Sequence, residues 1–248
     1  MKDNITNEIY GNIGVIHINS QKITNKDINK IRECMDYILF HDNTKCIIFT
    51  SDNDDFSYGL DLKSDDYKKN IDTLIDNGQK LITQIMKLEH IITIAYISGA
   101  CVGGGFELAL ACDTIWCDDT SYFGFPEFGN NLLPAWRGVS NAMTNLSKSV
   151  ISNMLLLNER LSCEDAKMYG LVSEVNESSN TTFLHDKIKH LNEYLSNIDH
   201  HTIIRNKALI KESNMNTLKE LDLHTFLLYH DFMSLYHRKS DTNINKLF

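Results

Sequence analysis

A chain of 248 residues is long enough to bury a large core in one domain or two. Its 24 Lys and Arg against 33 Asp and Glu leave a formal net charge of −9, which argues against a general nucleic-acid-binding role and offers no basic patch for a membrane surface. Six cysteines, at 34, 46, 101, 112, 117 and 163, contain no Cys-x-x-Cys pair and read as reduced, mostly buried small apolar residues.

In chain order, the first third alternates strand and helix signals. Val15-Ile16-His17-Ile18 and Cys46-Ile47-Ile48-Phe49-Thr50 are short β-branched runs. Between them Ile28, Ile31, Met35 and Ile38 recur at helical spacing across 27–39, giving a βαβ rhythm. A second helical stretch is predicted over 65–88 and a strand over 91–97. From Lys187 to His237 the pattern is helical throughout, with Leu191, Leu195, Leu221, Phe226, Leu227 and Phe232 among its apolar positions. Apolar residues on more than one side of such a tail call for a partner surface. The N-terminal Met1-Lys2-Asp3-Asn4 lacks the apolar core of a signal peptide, and the longest uncharged apolar stretch, 91–106, is broken by four glycines. A cytoplasmic enzyme with no membrane span is therefore expected.

The chemistry concentrates in Ser98-Gly99-Ala100-Cys101-Val102-Gly103-Gly104-Gly105-Phe106-Glu107-Leu108-Ala109-Leu110, followed twenty positions after Glu107 by Glu127 in Gly124-Phe125-Pro126-Glu127. An apolar strand precedes the glycines and a strong helix former follows them, so they mark a strand-to-helix turn. The first N–H groups of a helix lack internal partners and sit at the positive end of its dipole, where they can receive an oxygen that is gaining negative charge. Two carboxylates beside such a turn have the composition of an acid/base pair. Taken singly, Glu107 would more often be a first-turn glutamate favoured by the dipole, and Glu127 an ordinary loop acid.

Together these segments resemble the enoyl-CoA hydratase/isomerase (crotonase) superfamily. Two further stretches carry the resemblance, Phe56-Ser57-Tyr58-Gly59-Leu60-Asp61-Leu62-Lys63 and the segment from Arg160 to Val175, so that four motifs stand in the family's order. The resemblance implies an α/β fold built as a crotonase-like spiral of ββα units, with a core and active site over 1–190 and a helical C-terminal trimerisation region over 191–248. It implies Glu107 and Glu127 as the catalytic pair, and the backbone N–H groups of Leu60 and Gly104 as the oxyanion hole. A glycine at 104 is expected because a Cβ would obstruct the thioester. Residues implied at or near the substrate are Lys22, Tyr58, Gly59, Asp61, Lys63, Gly103 and Trp136; Asp61 and Asp113 also read as turn-fixing groups, and Trp136 as a packing residue.

The activity so implied is addition of water to an α,β-unsaturated acyl thioester, or its reverse. The thioester of coenzyme A is the substrate and no cofactor is implied. Its phosphates would need local cations such as Lys22, Lys63, Lys68 or Lys69. The assembly implied is a homotrimer or hexamer. The alternatives are double-bond isomerisation by one carboxylate, a crotonase acting on thioesters of an acyl carrier protein in polyketide-type biosynthesis, and a non-catalytic interaction subunit. Retention of both glutamates favours the first activity, because an isomerase needs only one base. Several positions depart from the family pattern: Ala135-Trp136-Arg137 precede Gly138 where most relatives have a Pro-Gly-x-Gly-Gly pattern, Tyr58 stands where a small residue is usual, Ser20 falls where many relatives have an arginine, and the chain ends at Phe248, short of the basic tail of many relatives. The ten histidines form no metal-like cluster, since the neighbours His200 and His201 do not face one another on a helix.

Overall fold

The computed structural model of the chain describes residues 4–212. A hairpin of β1 (Ile5–Tyr10) and β2 (Ile13–Ile18) leads into α1 (Asn25–Leu39), β3 (Cys46–Thr50), α2 (Asp65–Met86) and β4 (Ile92–Ile97). Short elements follow: β5 (Ala100–Val102), α3 (Gly104–Leu110), β6 (Thr114–Asp118), β7 (Tyr122–Gly124), α4 (Gly138–Ala142), α5 (Lys148–Leu156), β8 (Leu161–Ser162), α6 (Cys163–Met168) and β9 (Glu174–Asn176). Helices α7 (Phe183–Ser196) and α8 (His200–Glu212) end the described part.

Six strands form one sheet in the order β1-β2-β3-β4-β6-β9, antiparallel only between β1 and β2. The βαβ expectation is met, since β2 and β3 pair in parallel with Val15 opposite Ile48 and are joined by α1. Strand β3 is buried along its whole length, as a parallel strand covered on both faces must be. Ile47 and Phe49 belong to the larger core with α1 and α2, while Cys46 and Ile48 face a second cluster that includes Phe183, Ile188 and Leu195 of α7. Strands β5, β7 and β8 make a separate small sheet that carries the glycine turn.

Local chemistry starts the helices where expected. Thr24 and Asp27 form a reciprocal capping box at α1, and Ser64 caps α2 by accepting the Tyr67 N–H. The predicted 65–88 helix holds to Met86, with non-helical backbone at Asn70. Strand β1 had no sequence signal, because its exposed face carries Thr6, Glu8 and Tyr10 on the edge of the sheet.

The tail is not helical throughout. Residues 197–199 separate α7 from α8, and the expected boundary between 190 and 191 falls inside α7. Leu221, Phe226, Leu227 and Phe232 lie outside the described residues. Helix α8 is fastened by Lys207, whose buried Nζ donates to the carbonyls of Leu88 and Ile91 at 2.8 and 2.7 Å and pairs with Asp113 Oδ2 at 2.6 Å. That same oxygen accepts from the N–H and hydroxyl of Thr93 at 2.7 and 2.9 Å, so Asp113 is a structural bracket, as its motif position suggested. All six cysteines are free thiols, and five are buried.

Replacing Lys207 by Met keeps most of the side-chain volume but leaves two buried carbonyls without their donor. Lys207→Met should therefore lower the free energy of unfolding by about 2–3 kcal/mol in urea titrations. A loss under about 0.5 kcal/mol, the range of a neutral surface change, would show that this ammonium does not fasten α8.

Candidate active site

Two loops bring the glycine turn and the Leu60 segment together. Phe56 and Ser57 pair with the strand that leads into the turn: their N–H groups donate to Ser98 and Ala100 at 2.8 and 2.9 Å, and Val102 N–H returns to Ser57 at 3.0 Å. On the outer side Ile23 N–H donates to Gly59 and Asp61 N–H to Ile23. In such a parallel bridge the N–H of the residue between them, Leu60, points the other way, toward the glycine turn. Gly103 sits at φ 56° and ψ −133°, a conformation that only glycine adopts readily, and it ends β5 and opens α3 in one step. The first N–H of α3 belongs to Gly104. Among the described residues neither Leu60 N–H nor Gly104 N–H has a hydrogen-bond acceptor in the chain. Gly59, at φ 79°, lies against this pair, and a Cβ there would stand 2.9 Å from Gly104 N.

Glu107 lies in the first turn of α3 and is buried, at 2% exposure. Its Oε1 accepts the backbone N–H groups of Trp136 and Gly138 at 2.7 and 2.8 Å. Glu127 enters from the other side, on a loop that closes on itself through Asn130 N–H and Leu132 N–H donating to its carbonyl. The Glu127 Oε2 is buried with no partner. A Cβ on Gly103 would approach Glu127 Oε1 to 3.0 Å, so this carboxyl leans against the glycine turn. Leu60, Gly103, Gly104, Glu107, Glu127 and Tyr58 line one cavity of about 100 Å³.

Burial, and after it the charge of Glu127, pushes the Glu107 carboxyl up to about 8, against the N–H groups of Gly138, Trp136 and Ala135, which pull it down. Burial likewise pushes Glu127 up to about 7. The two titrate as one unit. The larger upward push falls on Glu107, yet the hydrogen bonds assign the shared proton to Glu127. Two N–H donors stabilise an ionised Glu107 oxygen, whereas charge on Glu127 would rest on an oxygen with no donor.

Four of the residues singled out in the sequence stand elsewhere. Trp136 does not line the cavity; its indole is fully buried between Gly78 of α2 and Gly104, so it packs. A Cβ on Gly104 would meet that indole at 2.9 Å. The structure thus gives a packing reason for glycine at 104: the missing Cβ makes room for Trp136 behind the turn. Asp61 turns its Oδ1 to Lys63 N–H at 3.1 Å, closing a local turn, and Lys63 is exposed. Neither lines the cavity. Lys22 lines a separate open groove of about 700 Å³ with Ser20, Lys26 and Lys30. Tyr58 donates its hydroxyl to Asp55 at 2.8 Å, which holds its phenol at about 12.

Sequence reasoning missed the contribution of α2. Tyr67, Ile71 and Ile75 form one wall of the cavity, and Gln79 Nε2 donates to the Ala135 carbonyl at 2.7 Å, holding the loop whose N–H groups reach Glu107. A signal was available in Gly78, a glycine inside a helical pattern that leaves space for an indole.

A family model described as enoyl-CoA hydratase/isomerase matches residues 8–244. The chain belongs to this family. Among curated relatives, 2,3-dehydroadipyl-CoA hydratase of Escherichia coli is 32% identical over 126 residues, covering 51% of this chain and 49% of that protein. Carnitinyl-CoA dehydratase of Salmonella enteritidis is 33% identical over 143 residues, covering 57% and 53%. The chain thus spans about half the length of the curated relatives it matches. Among solved structures, an enoyl-CoA hydratase from Mycobacterium avium subsp. paratuberculosis superposes with a TM-score of 0.78 at 22% identity, covering 94% of this chain and 89% of that one. A Thermobifida fusca protein in complex with acetoacetyl-CoA gives 0.74 at 18%, covering 92% and 95%. These likenesses establish the mixed α/β fold of crotonase-type proteins.

The raised carboxyl pair makes stability depend on pH with a definite sign. Unfolded, each carboxyl titrates near 4.5; folded, the pair keeps its shared proton to higher pH. Their contribution is therefore full below about pH 4.5 and is lost as pH rises through about 7–8. Urea midpoints should fall between pH 5 and pH 9, and less steeply in Glu127→Gln than in the parent. Parallel declines in the two proteins would mean that the pair does not share a proton.

Proposed function

We propose that this protein is an enoyl-CoA hydratase, adding water across the double bond of an α,β-unsaturated acyl thioester or removing it. The observation that carries the reading is one cavity holding two carboxyls of raised pKa and two backbone N–H groups without acceptors. Attack of water at C3 sends charge to the thioester oxygen, and in this reading Leu60 N–H and Gly104 N–H, which have no acceptor among the described residues, receive it. One such donor is typically worth about 2.7–4 kcal/mol in the transition state. Ionised Glu107 orients the water and takes its proton as the hydroxyl bonds to C3. Glu127 delivers its proton to C2. The water's oxygen makes the C3–O bond and the Glu127 proton makes the C2–H bond, while the double bond between them is lost; the pair ends with one proton, as it began, now on Glu107. Isomerisation would need one carboxyl, whereas two coupled carboxyls suit a reaction that both removes and delivers a proton.

The coenzyme's phosphates fall to the Lys22 groove in this reading. The segment carrying Lys22 borders the site, since the Gln21 carbonyl accepts Tyr58 N–H at 2.7 Å. Lys26 and Lys30 add cations along the same groove. The trimer or hexamer implied by the resemblance belongs to this proposal too.

Loss of the conjugated enoyl-thioester absorbance, followed with the purified protein and but-2-enoyl-CoA, tests the activity directly. Glu127→Gln keeps the shape but cannot deliver the proton, so kcat should fall by about 10²–10⁴ while KM stays within about threefold. An unchanged kcat would remove Glu127 from the chemistry, and no absorbance loss with the parent protein would end the hydratase reading.

A further inference from the structure

The cavity also carries information about the acyl chain, and this inference rests on the proposed hydratase reading. Beyond the two glutamates its walls are Leu62, Tyr67, Ile71 and Ile75 on one side and Leu132 and Leu133 on the other. Ile71 and Ile75, one helical turn apart on α2, are buried at 8% and 6% exposure, which makes that wall a fixed stop. The volume is about 100 Å³. A dry apolar cavity of about 150 Å³ accommodates benzene, so this one takes roughly four to six carbons before a wall must move.

Charge is limited as strictly as length. Among the described residues no lysine, arginine or histidine lines the cavity, and its ionisable carboxyls are the two glutamates. The polar groups at its edge are engaged: Tyr58 donates to Asp55, and the Asn130 amide donates to the Pro126 carbonyl at 3.0 Å. A carboxylate at the far end of an acyl chain would lose its water against isoleucine and leucine and gain no cation in return.

We propose that this protein selects thioesters of a short, uncharged acyl chain and rejects long chains and chains ending in a carboxylate. Ile71 and Ile75 set the length limit, and a lining that holds no cation among the described residues sets the charge limit.

Binding of saturated thioesters separates this proposal from the activity itself. Titration calorimetry of the full chain with butyryl-, hexanoyl-, decanoyl- and adipyl-CoA should give the tightest binding for the first two. Decanoyl- and adipyl-CoA should bind at least tenfold more weakly, adipyl-CoA despite having the length of hexanoyl-CoA. Ile75→Ala should narrow the decanoyl gap at least threefold and leave the adipyl gap in place. Equal binding of decanoyl-CoA, or an unchanged ratio in Ile75→Ala, overturns the length limit, and equal binding of adipyl-CoA overturns the charge limit. If the expected order holds but no enoyl ester is turned over, the hydratase reading fails while the selectivity stands. Absence of binding by all four esters ends both.

Discussion

The site depends on one costly arrangement, two carboxyl groups brought into a single small cavity lined mainly by apolar side chains. Desolvation and mutual repulsion both oppose it. What makes it tolerable is the loop from 135 to 138, which turns two backbone N–H groups onto Glu107 Oε1 and leaves one proton for the pair. The loop is held in turn by Gln79 at the Ala135 carbonyl and by the Trp136 indole against α2. Gly138 completes it, because a Cβ there would come within 2.5 Å of Glu107 Cγ. Helix α2 therefore shapes the site twice, once by walling the cavity and once by fixing the backbone whose N–H groups reach Glu107.

The positions where this chain departs from the family pattern can be understood in the same terms. Before Gly138 this chain carries Ala135, Trp136 and Arg137, and the bulk of the tryptophan goes backward into the core instead of forward into the cavity. An indole needs a matching space, which is supplied by Gly78 in the neighbouring helix and by Gly104 in the turn. The indole Nε1 is left without a partner in that space. Packing has been gained at the expense of one hydrogen bond, a trade that favours a rigid loop where the N–H groups must hold their aim.

Much of this was legible in the sequence, for reasons that differ by element. Strands β3 and β4 showed themselves because a parallel strand buried on both faces has to be a continuous apolar run. The catalytic candidates showed themselves through motif order, and Leu60, Gly103, Gly104, Glu107, Glu127 and Tyr58 do line one cavity. Strand β1 stayed hidden because an edge strand with one wet face carries polar residues that mimic a loop. Trp136, Asp61 and Lys63 were grouped with the substrate contacts because proximity in a motif says nothing about which way a side chain points. The α2 wall was invisible for a related reason: its residues are some thirty positions away from the glycines and meet them only through packing.

The glycine run shows how finely such a site divides its constraints. Gly103, Gly104 and Gly105 are adjacent, yet a Cβ would meet a different neighbour at each: Glu127 Oε1 at 3.0 Å, the Trp136 indole at 2.9 Å and Ser57 Cβ at 2.5 Å. Gly103 alone has a positive φ, so only there does backbone freedom itself matter. At Gly104 the constraint is the loop that orients Glu107, and at Gly105 it is the Leu60 segment that supplies the second N–H. Three glycines that look redundant in the sequence therefore protect three separate parts, the Glu127 carboxyl, the loop that holds Glu107 and the Leu60 segment, and none can stand in for another.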